Sequence, residues 1–207
     1  DTVFNYSILD GSPADITAYL NKAQSRGIQV IFSLKDLYDQ LGPNNYRALY
    51  TYPLGDSNQS AAVNAVQQFG AHPAVRGFAI NDERPESPAD LGLWQPIMQQ
   101  RYSLIKQYTT KPVMQVLVGA TSPSAAARAQ FLRSLRSSTD TFALDYYPIP
   151  YQPTSFISSI GQDLLTAGDS NGWFIAQAFS WASYPDTASG LGFNLGSARA
   201  PSSAEMV

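Results

Sequence analysis

Three polar residues in a row, Asn81, Asp82 and Glu83, close an apolar run that begins at Arg76-Gly77-Phe78-Ala79-Ile80. An amide beside two carboxyls suits proton transfer: burial or a neighbouring negative charge raises a carboxyl's pKa until it can serve as a general acid. If residues 75–83 form a strand, alternation puts Gly77, Ala79, Asn81 and Glu83 on one face. Phe78, Ile80 and Asp82 then take the other. Further strand-like runs also end in polar or aromatic residues: Lys35, then Asp145 with Tyr147, then Gln177 with Trp181 just beyond. The chain has no cysteine, which excludes a thiol nucleophile, a disulfide frame and a thiolate metal site. Its single histidine, His72 in Gly-Ala-His-Pro, excludes a histidine-rich metal site and argues against a Ser-His-Asp triad. His72 reads as a turn residue, and no metal or cofactor is expected.

The 207 residues suffice for one substantial domain, so 1–207 is read as a single unit. Hydrophobic residues at 44% allow a packed core, while charged residues at 14% are about half the usual share. A surface rich in Ser, Gln, Asn, Thr and Tyr is common among exported proteins, so an extracellular location is the expectation. The net charge of -3 offers no basic face for nucleic acid. No apolar run approaches the ~20 residues of a membrane span. Oligomeric state leaves no mark in the sequence. The chain does not begin with Met, and its start reads as a processed or truncated end.

The elements that must position these residues alternate. Thr2 to Ser7 is β-branched and aromatic, a strand. Ser12-Pro13 with Asp15 starts a helix that Gly27 ends, and Gln29 to Leu34 is the next strand. Residues 37–59 read as a long loop, followed by a helix from Ser60 to Phe69 and the strand 75–83. Ser87-Pro88 starts a long helix with an apolar stripe of Trp94, Ile97, Met98, Tyr102 and Ile105. Val113 to Val118 is a strand, and Ser122-Pro123 begins another helix. Thr141 to Asp145 is a strand running into Tyr146-Tyr147-Pro148; Ser155 to Ala167 is a helix ended by Gly168; Trp173 to Phe179 is the last strand.

Six strands alternating with helices imply a parallel sheet. No glycine-rich phosphate loop follows the first strand, which weakens a dinucleotide-binding sheet. Polar residues gathered at strand C-terminal ends favour a (β/α)8 barrel with its site at that rim. Six strands are two short of closure, so a truncated or partial barrel is expected. Matching the face of Glu83 selects Ser33 and Lys35, Gln115 and Gly119, Ala143, Asp145 and Tyr147, and Ile175, Gln177 and Phe179.

A strand ending in Asn-Asp-Glu, a later one ending in Asp-Tyr-Tyr-Pro and a last one ending in Gln-Ala-Phe with a nearby Trp resemble the clan A glycoside hydrolase barrels. The resemblance implies that the strand ending at Glu83 is the fourth of eight. The barrel's first and last strands would then be missing. It implies Glu83 as general acid/base on an oligo- or polysaccharide, with Asn81 or Asp82 beside it. The family's nucleophile, a glutamate ending the seventh strand, is replaced by Gln177, which cannot form a glycosyl-enzyme ester. Three alternatives follow. Asp145 supplies the second carboxylate; or the substrate's own acetamido group attacks while Gln177 or Tyr147 orients it; or the barrel binds sugar without cleaving it, as a carbohydrate-binding or structural module. Lys35, Gln115, Tyr147, Gln177 and Trp181 complete the expected substrate-binding set.

The 12 tyrosines, 10 phenylalanines and three tryptophans fit sugar stacking, although Trp94 belongs to the helix stripe. A Schiff-base enzyme using Lys35 is a further alternative and would need that lysine in an apolar pocket. Asn5-Tyr6-Ser7 and Asn58-Gln59-Ser60 match the glycosylation triplet, and Asn58, in the polar loop, is the better acceptor.

Overall fold

The computed structural model describes residues 1–5, 8, 12–35, 56–85, 87–119, 124–146 and 157–176. Strands and helices alternate throughout: β1 (Thr2–Asn5), α1 (Pro13–Ser25), β2 (Gln29–Ser33), α2 (Asp56–Phe69), β3 (Val75–Ala79), α3 (Leu91–Lys106), β4 (Val113–Val118), α4 (Ala125–Leu135), β5 (Thr141–Tyr146), α5 (Ile157–Thr166) and β6 (Trp173–Ala176). All five neighbouring pairs are parallel, and the strand order in the sheet is the order in the chain. A doubly wound sheet reverses direction partway through, and this one does not.

The sheet is curled. Three strand spacings would hold β3 and β6 about 14 Å apart in a flat sheet. Yet the Arg76 guanidinium lies 4.8 Å from the centre of the Trp173 ring on β6. The same group donates to Thr2 Oγ1 on β1 at 3.0 Å and to Gln29 Oε1 at 3.3 Å. Arg76 is the extra residue of an irregularity, since Val30 pairs with Val75 but Ile31 pairs with Gly77. The architecture is that of a partial (β/α)8 barrel.

Residues sort cleanly onto the two faces. The concave face carries Ile31, Ala79, Met114, Val116 and Ala143, with Phe4, Trp173 and Ile175 at its margin. The convex face meets the helices in two clusters. One gathers Val30, Phe32, Phe78, Ile80 and Val113 against α1, α2 and α3. The other gathers Leu117, Phe142, Leu144 and Tyr146 against α4 and α5. The ladders are unequal: β3 and β4 share two registered pairs, Phe78 with Val113 and Ala79 with Met114, whereas β4 and β5 share five. At Gly77 the backbones approach so closely that a Cβ would lie 2.6 Å from Pro112 O.

Several helix boundaries follow the sequence. Ser12 and Asp15 form a capping box at α1, and Gly27 ends it with φ of 67°. The start of α2 lies at Asp56, four residues before the expected Ser60, so Asn58 sits in its first turn rather than a loop. Ser87 does not cap a backbone N–H; its hydroxyl donates to Asp90 Oδ2 at 3.0 Å, and a 3₁₀ turn, Pro88–Asp90, precedes α3. The N-cap of α4 is Ser124, two residues after the expected Ser122. Strand β3 ends at Ala79, not at residue 83. Among the described residues no helix is long and apolar enough to cross a membrane.

Candidate active site at the C-terminal rim

Past Ala79 the backbone stops running as a strand, and the Asn81 side chain takes over the pairing. Ile80 N–H still donates to Met114 O at 3.1 Å. Then Asn81 Oδ1 accepts the Val116 N–H at 2.9 Å, and Asn81 Nδ2 donates to Val116 O at 2.9 Å. A side-chain amide thus copies a peptide group's donor and acceptor on β4. Nδ2 also donates to Arg84 O, which folds residues 81–84 into a tight turn. Asn81 is completely buried. Within the turn Glu83 adopts φ of 57°, and its N–H donates to Val116 O at 3.0 Å.

The neighbouring side chains are committed as well. Asp82 forms an ion pair with Lys35 Nζ at the end of β2, with the two side chains 27% and 19% exposed. On the helix side Arg101, 8% exposed, donates from Nη1 to Ile80 O at 3.0 Å and lies 5.8 Å from the centre of the Trp94 ring. The half-buried Glu83 differs: its carboxylate has no hydrogen bond or ion pair among the described residues. Of the three polar residues that end this run, Glu83 is the one whose side chain has no partner among the described residues.

Asp145 pairs with Val118 of β4 and Ile175 of β6, on the concave face with Ala143. It is 1% exposed. The structure therefore sets Glu83, in the turn that follows β3, and Asp145, on β5, at the same end of the sheet on either side of β4. Tyr146 points the other way into the helix layer, where burial raises its phenol above the usual pKa.

Gln115 requires a correction. It pairs with Phe142 and lies on the convex side between Val113 and Leu117, away from the face that carries Asp145. It is fully buried, and its Nε2 donates to Ser138 O at 2.9 Å and Ser138 Oγ at 2.8 Å. Strand β4 is apolar on both faces, so it offers no alternation from which the side of its one polar residue could be read. Tyr147, Gln177 and Trp181 lie outside the described residues. A Schiff-base role for Lys35 loses its premise, because the amine faces a carboxylate rather than an apolar pocket.

His72 holds a turn: its Nδ1 accepts the Ala74 N–H at 3.1 Å, leaving Nε2 to donate to Asn21 Oδ1 at 3.1 Å. Among the described residues no cluster of three His, Cys, Asp or Glu side chains could hold a metal ion. Arg101 escaped the sequence reading, although a signal existed. Positions 94, 98, 101 and 105 share one helix face, and an arginine amid Trp94, Met98 and Ile105 marks a buried polar target.

No protein-family model and no curated protein matches the chain. Among solved structures it is similar to a GH53 (glycoside hydrolase family 53) catalytic domain from Ignisphaera aggregans, with a TM-score of 0.57 and 18% identity, covering 82% of this chain and 51% of that one. It is also similar to a GH2 beta-galacturonidase from Eisenbergiella tayi bound to galacturonate, with a TM-score of 0.46 and 12% identity, covering 78% of this chain and 28% of that one. The second likeness is too slight to carry an argument. The first establishes a barrel fold shared with a glycoside hydrolase catalytic domain, of which this chain spans about half the length.

Proposed function

We propose that the chain belongs to a glycoside-hydrolysing barrel acting on an oligo- or polysaccharide, with Glu83 as the proton donor. The observation that carries this reading is the division of labour at the rim. Asn81 and Asp82 are held by Val116 and Lys35, while the Glu83 carboxylate has no partner among the described residues. Asp145, one strand beyond β4 at the same end, is the best second carboxylate. Two carboxylates, one donating a proton and one serving as nucleophile or base, are the usual requirement. The fold shared with a GH53 catalytic domain supports a carbohydrate substrate.

The burial of Asp145, 1% exposed, favours one rival: a barrel that binds sugar without cleaving it. Turnover of a panel of dyed polysaccharides, measured beside direct binding of the same polymers, separates the two. Glu83→Gln is expected to lower turnover about 100- to 10,000-fold while the protein stays folded. Unchanged turnover in that variant would overturn the assignment. Binding without turnover by the unaltered chain selects the rival.

A further inference from the structure

We propose that Asn81 is a positioning residue for Glu83, backed by Arg101, and does not itself touch the sugar. The inference rests on the reading of Glu83 as proton donor and adds how that carboxyl is aimed. Asn81 uses both ends of its amide on the scaffold, with Oδ1 on the Val116 N–H and Nδ2 on the Val116 and Arg84 carbonyls. It is completely buried, and both polar atoms of its side chain are already engaged by the scaffold.

The consequence for Glu83 is geometric. Arg84 O is drawn back toward Asn81, and of the two residues between them Glu83 turns through the left-handed region, at φ of 57°. Val116 O accepts both Asn81 Nδ2 and the Glu83 N–H, so one carbonyl on β4 fixes both ends of the turn. Arg101 grips Ile80 O from α3 and stops the segment from sliding along β4.

The test exploits leaving-group chemistry. From a para-nitrophenyl glycoside the nitrophenolate departs with little help from a proton, whereas an alkyl or sugar leaving group needs a well-aimed acid. Asn81→Asp keeps the acceptor for the Val116 N–H and loses the donor to both carbonyls. Its expected signature is a kcat lower by about 100-fold on the polysaccharide. The loss on para-nitrophenyl glycosides should be much smaller, with KM unchanged on both. Amide hydrogen exchange at Glu83 should quicken while β2 keeps its protection. Should Asn81→Asp not fold, Arg101→Lys is expected to give the same pattern more weakly. Asp163→Asn is the control. It breaks a buried ion pair with Arg128 between α4 and α5, 2.5 Å from Nε to Oδ2, and should lower Tm without altering the leaving-group dependence.

Equal losses for both leaving groups, or a raised KM with kcat kept, would overturn the proposal. If the unaltered chain hydrolyses nothing, the reading of Glu83 falls while exchange still judges the clamp. Lost protection at Glu83 in Asn81→Asp upholds it, and unchanged protection defeats it.

Discussion

Glu83 is the described non-glycine residue with positive φ, and that conformation has a cost. A Cβ in the left-handed region crowds the following carbonyl by about 1–2 kcal/mol, and such residues persist where the surroundings over-determine them. Glu83→Gly is therefore expected to raise stability by about 1 kcal/mol while removing the proposed acid. Calorimetry checks the sign: a lower Tm would mean that the carboxylate itself holds the fold together. Residue types alone singled out Glu83, because an Asn-Asp-Glu run after an apolar strand is unusual. They could not say which side chain would be left over, since Asp82 finds Lys35 47 positions away and Asn81 finds Val116 35 positions away. The misplacement of Gln115 has the same origin, because its partner Ser138 lies 23 residues off, in the helix layer.

Elements were easier to read, because their signals are local. The Ser12-Pro13-x-Asp15 start behaves as expected, and both helix-ending glycines, Gly27 and Gly168, take positive φ. The repeat of that pattern at Ser87 does not, since the Ser87 hydroxyl turns to the Asp90 carboxylate instead of a backbone amide. What ties elements together at the other end of the sheet was not legible. Asp140 accepts from Tyr102 and Lys106 on α3 and from the Val113 N–H at the start of β4, at 2.9, 3.0 and 2.8 Å. Burial alone would raise its pKa, but these hydrogen bonds outweigh it and leave the carboxyl below the usual value. A depressed carboxyl contributes stability that is present above the unfolded pKa, about 3.9, and lost as pH falls through the folded one. Asp140→Asn should thus lower Tm at neutral pH, and the gap to the unaltered chain should narrow as the medium is acidified below about pH 4. A gap independent of pH would show that the carboxylate's charge plays no part.

Over the whole molecule, alternation and strand-end polarity were enough to separate a curled barrel from a doubly wound sheet. Strand order was within reach because neighbours in sequence are neighbours in space. The division into two helix-side cores was not, because it depends on which helices meet. Those cores meet across β3 and β4, where the ladder has two registered pairs and the Asn81 amide extends it. In native-state hydrogen exchange with increasing denaturant, the Phe78, Ile80 and Glu83 amides, all bonded to β4 or the Pro112 carbonyl just before it, should open before the β5 amides that face β4. Simultaneous opening would mean that the sheet behaves as one cooperative unit. The short ladder has a stereochemical consequence. Glu83 lies on one side of this joint and Asp145 on the other, so under the proposed roles the joint contributes to the span between their carboxyls. Retaining glycosidases need about 5–5.5 Å there, and inverting ones about 6.5–9.5 Å to admit a water. In such a barrel the outcome at the anomeric carbon would be decided by how tightly two strands are stitched beneath the sugar.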